Sequence, residues 1–120
     1  MLVVFCLRDN IAYIFDSDKA TKKTWQIKSC LSWAWKRYSF RAGTRDMLKK
    51  NELQIKMIEC PQQPGNYECG YYVIKWMYDI TVRYALSEDG IQKCVSGAEI
   101  TIEQMNEVRE LWSLYCVKNV

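Results

Sequence analysis

A chain of 120 residues that is 49% hydrophobic and 13% aromatic can form one domain, or part of one, and is too apolar for a disordered tail. It has no apolar run long enough to span a bilayer and no signal-peptide pattern at its start, so we expect an intracellular chain without a membrane partner. The net charge of +3 is uneven: residues 19–50 hold ten bases and one acid, and the remainder is net −6.

The predicted elements give the chain an α+β layout. Strands are indicated by short runs rich in β-branched and aromatic residues, and helices by apolar residues at helical spacing. In chain order these are strands at Leu2–Leu7 and Ile11–Phe15 around a turn at Arg8–Asn10, a basic helix from Thr21 to about Phe40, a break at residues 42–44, a strand at Leu53–Ile58, a helix from Cys69 to about Ala85, a loop at Ser87–Gly97, and a last helix opened by a capping box of Thr101 and Gln104. The strands and helices do not alternate regularly, which favours α+β over α/β.

Two of the predicted helices carry clear apolar patterns. In the helix that begins at Cys69, the charged residues are Lys75, Asp79 and Arg83, which form one narrow stripe. We therefore expect this helix to be buried over most of its surface, at the centre of the fold. The last helix is expected to bury one face, formed by Ile102, Met105, Val108, Trp112 and Tyr115.

The basic segment Lys19–Lys50 has two interpretations. A run of charge is most often a solvated helix face, but it can also be a surface for an acidic partner. Weak contact with nucleic acid is the sharper version of the second interpretation, with Trp25, Trp33 and Trp35 offering stacking faces. Aromatic residues at helical spacing usually pack inward, so the first interpretation is favoured here.

Six cysteines stand at positions 6, 30, 60, 69, 94 and 116, without a CxxC pair and without a histidine anywhere in the chain. This spacing does not fit a structural zinc site, and we expect neither a metal nor a cofactor. Most of the thiols are expected to be reduced and to act as small core residues.

Cys69 is the candidate nucleophile. The turn Pro64-Gly65-Asn66 leads into a helix whose first residue is Cys69, and the free N–H groups and partial positive charge of a helix start favour a thiolate. Gly70 leaves room for a substrate backbone, and Gln63 is placed to fold its amide back beside Cys69 as an oxyanion donor. Taken alone, the spacing also fits a structural cysteine and a loop-stabilising glutamine.

The segment CPQQPGNYECGYYV, residues 60–73, closely resembles the nucleophile segment of the Ulp-type ubiquitin-like protein proteases, the SUMO protease family. In that family a Gln is followed by five residues, then Cys-Gly, then an aromatic or aliphatic helix. The resemblance implies that Cys69 is the nucleophile and Gln63 the oxyanion donor. The order Gly65-Asn66 departs from the Asn-Gly of some members, although both orders make a turn.

Two further segments support the resemblance. The run LVVFCLRDNIAYIFDS is similar to the paired strands of the family, which implies that Asp16 is the carboxylate that orients the catalytic histidine; by itself, Asp16 also fits a strand-end turn residue. The run EQMNEVRELWSLY is similar to the tail of plant, often transposon-associated, members. The implied fold is a partial papain-like one, with residues 1–120 as the C-terminal part of a single catalytic domain and its central helix packed on a mostly antiparallel sheet.

The chain lacks the base that a cysteine protease needs, because it contains no histidine. A turn centred on Asp9 predicts cross-strand partners whose numbers sum to about 18, so Asp16 is expected opposite Leu2. A histidine reaching Asp16 then lies at or just before Met1, where the His-Trp pair of the family would fall. We therefore expect a truncated chain that is inactive alone and prone to aggregation.

The resemblance implies a cysteine peptidase that cleaves after the Gly-Gly tail of SUMO or a related ubiquitin-like protein, in processing or in deconjugation, with a nuclear location. Its partners are then the ubiquitin-like protein and its conjugates. The alternative is a pseudoenzyme, a module that binds the ubiquitin-like tail without cutting it.

Overall fold

A computed structural model of the chain describes residues 1–18, 24–41, 52–84, 87–97 and 99–119. Within these ranges it confirms the predicted α+β class. Its elements are β1 Leu2–Cys6, β2 Ile11–Phe15, α1 Thr24–Arg41, β3 Gln54–Ile58, α2 Cys69–Tyr78, a π-helical turn Asp79–Arg83, α3 Glu88–Val95 and α4 Ile102–Asn119. None of these helices is long and apolar enough to cross a bilayer. The break at residues 42–44 and the side chain of Trp25 lie outside the described residues.

Strands β1 and β2 form the predicted hairpin, but their register differs by one residue from the predicted one. Leu2 pairs with Phe15, so the numbers of partner residues sum to 17 rather than 18. Continued by one position, this register places Asp16 opposite Met1 and not opposite Leu2. Cross-strand partners point to the same face of a sheet, so Met1 and Asp16 share a face. Side chains two residues apart along a strand also share a face, so a residue two positions before Met1 would lie on the face of Asp16.

The turn explains the shift in register. The N–H of Asp9 donates to the carbonyl of Cys6 at 3.2 Å, and Asn10 adopts a left-handed φ of 55°, a conformation that asparagine tolerates better than most residues. Leu7 therefore joins the turn, which has four residues where the sequence argument assumed three.

The described sheet is mixed rather than mostly antiparallel. Its strand order is β1-β2-β3, and β3 runs parallel to β2, with Ile11 beside Gln54 and Phe15 beside Ile58. A parallel neighbour requires a crossover connection, and here α1 lies in the chain between β2 and β3. As the middle strand, β2 is buried on both faces.

One core packs α2 and α3 against the sheet face that carries Tyr13 and Phe15. The ring centroid of Trp76 lies 5.4 Å from that of Phe15 and 5.5 Å from that of Tyr72. The remaining members of this core are Ile58, Cys60, Ile91, Cys94, Val95 and Ile100. Burial, aided by the nearby negative charge of Asp79, raises the pKa of the Cys94 thiol. The expectation that most of the cysteines fill the core was wrong, because Cys60 and Cys94 are buried whereas Cys30, Cys69 and Cys116 are exposed.

The charged stripe of the central helix is partly buried, which its sequence did not indicate. Asp79 is 2% exposed, and its carboxylate lies 2.6 Å from Lys75 Nζ and 3.5 Å from Arg83 Nη1. This pairing offsets much of the cost of burying the charge. The apolar positions Met77 and Val82 are exposed instead, so the helix is less completely buried than its sequence predicts.

The predicted loop at Ser87–Gly97 is also wrong, because residues 88–95 form helix α3. Ser87 caps it by accepting a hydrogen bond from the N–H of Gly90 at 3.1 Å. Lys93 pairs with Asp89 one turn earlier, at 2.6 Å. The side chains that face the core are Ile91, Cys94 and Val95. Their packing stabilises this short helix, although its sequence is mostly polar.

Helix α4 confirms the capping box but not the burial of its apolar face. The hydroxyl of Thr101 accepts from the Gln104 N–H at 3.3 Å, and the amide oxygen of Gln104 accepts from the Thr101 N–H at 3.1 Å. None of the α4 residues is buried. Met105 and Val108 are half-buried, and the exposed apolar residues are Ile102, Leu111, Trp112, Leu114, Tyr115 and Val117.

Candidate active site

Cys69 is the first residue of α2, as predicted, and it is exposed to solvent. The preceding Glu68 occupies the N-cap position, but its side chain makes no cap hydrogen bond. Its carboxylate accepts from the N–H of Tyr67 at 3.1 Å instead. Backbone N–H groups of the first helical turn therefore keep their partial positive charge beside Cys69, without a carboxylate between them.

The space around Cys69 is open on the helix side. A Cβ atom at Gly70 would have no neighbour within 4 Å, so the residue after the thiol does not obstruct approach. In contrast, a Cβ atom at Gly65 would lie 2.9 Å from a carboxylate oxygen of Glu68, which is too close for a β-carbon. The turn before the helix is thus compact, while the helix start itself is accessible.

Gln63 lies in the loop that leads to Cys69, held at its backbone and at both ends of its amide. Its N–H donates to the Ser17 carbonyl at 2.8 Å, and its side-chain oxygen accepts from the Ser17 hydroxyl at 2.8 Å. Its Nε2 donates to the Gly65 carbonyl at 2.7 Å. The bond to this carbonyl takes one of the two N–H donors of Nε2, and the oxyanion role at Cys69 would use the other.

Asp16 directly follows β2 and is buried. One carboxylate oxygen accepts from the N–H of Asp18 at 3.2 Å. The Asp16 carbonyl accepts from Nε2 of Gln62 at 3.0 Å and from Sγ of Cys60 at 3.1 Å. These bonds, with those between Ser17 and Gln63, connect the end of β2 to the segment that precedes Cys69.

Tyr72 links the same loop to the core and was not singled out by the sequence argument. It lies one turn after Cys69 and is 1% exposed. Its hydroxyl donates to the Gln62 carbonyl at 3.3 Å and accepts from the Ile100 N–H at 3.2 Å. The signal in the sequence is a tyrosine among apolar residues at the buried spacing of the helix, since a buried hydroxyl needs a partner.

Ser17 and Gln62 are the other two residues that the sequence argument passed over. Ser17 follows Asp16 directly and is buried. Together with Tyr72 they build the scaffold that brings Asp16, Gln63 and the start of α2 to one end of the sheet. The structure describes no hydrogen bond from Asp16 or Gln63 to Cys69 within the ranges it covers, and the chain supplies no histidine to connect them.

These features fit acyl transfer by a thiol: an accessible cysteine at a helix start, a glutamine in the adjoining loop, and a buried carboxylate at a strand end. A model of the family described as "Ulp1 protease family, C-terminal catalytic domain" matches residues 1–115. No curated protein and no solved structure is significantly similar to the chain. The α+β arrangement of sheet and helices is that of a partial papain-like fold. On the extent of the family match, this chain belongs to the Ulp1 family of cysteine proteases.

Proposed function

We propose that residues 1–120 are the C-terminal part of a single catalytic domain that cleaves after the C-terminal Gly-Gly of SUMO or a related ubiquitin-like protein. The observation that carries this proposal is the accessible Cys69 at the first position of α2. The family match supports the partner class, namely a ubiquitin-like protein and its conjugates. A nuclear location is proposed on the same ground.

In the proposed reaction, the Cys69 sulfur bonds to the carbonyl carbon of the terminal glycine, and the amine of the leaving chain departs with a proton. Water then cleaves the thioester and releases the ubiquitin-like protein with a free carboxylate. Gln63 stabilises the oxyanion in both steps through its Nε2, and Asp16 orients the base. Each step also needs that base to move a proton, and no histidine is present among the 120 residues.

For this reason we propose that the 120-residue chain is inactive as a peptidase when it acts alone. Loss of one member of a catalytic triad typically costs about 10⁴–10⁶ in turnover. A pseudoenzyme is the second candidate, because a chain that carries Cys69 and Gln63 without a histidine base can hold a ubiquitin-like tail without cleaving it.

A SUMO protein with a C-terminal vinyl sulfone tests the proposal without requiring turnover. The thiolate of Cys69 adds to the vinyl group, so we expect one adduct per chain, mapped by mass spectrometry to the peptide that contains Cys69. Cys69→Ser removes the adduct, whereas Cys30→Ser, at another exposed cysteine, leaves it unchanged.

Two outcomes separate the candidates. Binding of SUMO to the Cys69→Ser variant without any labelling of the parent chain supports the pseudoenzyme and refutes the nucleophile. Labelling that spreads equally over Cys30, Cys69 and Cys116 shows that the probe reports exposure alone, and it also contradicts the proposed role of Cys69.

A further inference from the structure

Within the part of the chain that the structure describes, the outer face of α1 combines positive charges that have no ion-pair partner with exposed aromatic rings. This helix has no acidic residue, and its bases are Lys28, Lys36, Arg37 and Arg41. Three lysines elsewhere are paired with carboxylates: Lys56 with Glu88, Lys75 with Asp79 and Lys93 with Asp89. Among the described residues, none of the α1 bases lies within ion-pair distance of a carboxylate.

Two sides of the helix have opposite character. Trp35 and Ser39, one turn apart, form the buried side. Trp33 is 65% exposed and Phe40 is 60% exposed, so the expectation that the tryptophans of this segment pack inward was wrong for Trp33. A rotation of about 100° per residue places Trp33 and Trp35 on opposite sides of the helix.

The rings and the bases of the outer side are interleaved. Trp33 and Phe40 are seven residues apart, which puts them about 10 Å from each other along nearly the same line of the helix. By the same rotation, Lys36 lies on one side of that line, and Arg37 and Arg41 lie on the other. The guanidinium carbon of Arg37 is 5.4 Å from the centroid of the Trp33 ring, a cation–π contact.

This pattern favours an extended, flexible polyanion that also carries flat apolar rings. A helix that lies on a membrane separates its apolar face from its basic face, whereas here charges flank the rings on a single face. An acidic protein segment would satisfy the charges but gives no reason for two exposed rings two turns apart. Single-stranded nucleic acid satisfies both, because bases stack on aromatic side chains while phosphates contact the bases of the protein.

We propose that the outer face of α1 binds single-stranded nucleic acid, with Trp33 and Phe40 as stacking platforms and Lys36, Arg37 and Arg41 as phosphate contacts. The surface is independent of the proposed peptidase chemistry, since it uses no residue of the Cys69 site. Binding is sequence-tolerant, because every base presents a ring face and no side chain is assigned to a base edge.

Fluorescence anisotropy with a labelled thymidine 12-mer tests this surface in the full chain. We expect binding that weakens with salt, with a slope of log K against log salt of about −2 or steeper, given about −0.7 for each of three phosphate contacts. Trp33→Ala should weaken binding about tenfold at constant slope. Arg41→Ala should instead reduce the slope by about 0.7.

Helix α4 provides matched controls, because Trp112 and Arg109 are likewise exposed. Trp112→Ala and Arg109→Ala should leave both affinity and slope unchanged. Three results overturn the proposal. Equal affinity for heparin and for the 12-mer, together with no effect of Trp33→Ala, indicates a general acidic partner. Binding to phosphatidylserine vesicles but not to the 12-mer, or no binding to the 12-mer at 20 mM salt, also contradicts it.

Discussion

Placing a histidine two residues before Met1 will restore Cys69-dependent cleavage of a SUMO–fluorophore substrate, by about 10³-fold or more over the 120-residue chain. The register of the hairpin carries this expectation, since continuing it by one position beyond Leu2 and Phe15 places Asp16 opposite Met1, and side chains two residues apart share a face. A diagonal neighbour on that face is 7–8 Å away by backbone distance, within reach of a ring such as imidazole. Cleavage is measured as the initial rate of fluorophore release.

The matched control exchanges the order of the two added residues. An extension of His-Trp puts the histidine on the face of Asp16, and an extension of Trp-His puts it on the opposite face with the same composition and length. We expect the first alone to restore cleavage, and Cys69→Ser to abolish it. Equal rates for the two extensions, or no rate from either while both bind SUMO, would contradict the proposed arrangement of acid, base and nucleophile.

Trp76→Ala will lower the free energy of unfolding by about 3–5 kcal/mol, the usual cost of removing a large buried ring. Trp76 is 2% exposed and lies within ring-contact distance of Phe15 and Tyr72. It joins α2 to β2, so its loss weakens the packing of the helix that carries Cys69 on the strand that precedes Asp16. Because domains of this size are stable by only about 5–15 kcal/mol, the variant should lose most of its cooperative urea transition.

Trp112→Ala is the control for this stability measurement, because the same residue type on α4 is 44% exposed. We expect its urea midpoint to differ little from that of the parent chain. If the two variants lose equal stability, the core between α2 and the sheet is not where the structure places it.

Features set by local sequence were predicted well. Strand β2 follows from a short run rich in β-branched and aromatic residues, and the start of α2 at Cys69 from a turn of proline, glycine and asparagine; both match the structure. The hairpin register failed by one residue because it depends on a single backbone angle at Asn10. Helix α3 was missed because its stability comes from a cap at Ser87 and from burial against residues distant in sequence.

The candidate site could be predicted only in part, because it also depends on contacts between residues that are distant in sequence. Its residue types and their order are visible in the segment from Gln63 to Cys69. The orientation of the Gln63 amide is not, because it depends on Ser17, which lies 46 residues away in sequence. The burial of Asp79 was not predicted either, because it depends on pairing with Lys75, which lowers the cost of burying the charge. From the sequence, Tyr72 is indistinguishable from the apolar residues of its helix. Its role depends on hydrogen bonds of the hydroxyl to Gln62 and Ile100, which lie in two different loops.

The central claim is that Cys69 is an activated nucleophile, and its most direct test compares three exposed thiols in one chain. Cys30 and Cys116 lie within α1 and α4, whereas Cys69 opens α2, so the helix-start position distinguishes it. Rates of alkylation by iodoacetamide at pH 7, followed for each cysteine by mass spectrometry, should be about tenfold higher at Cys69 than at either of the others. A Cys69 rate equal to or below theirs would contradict the claim.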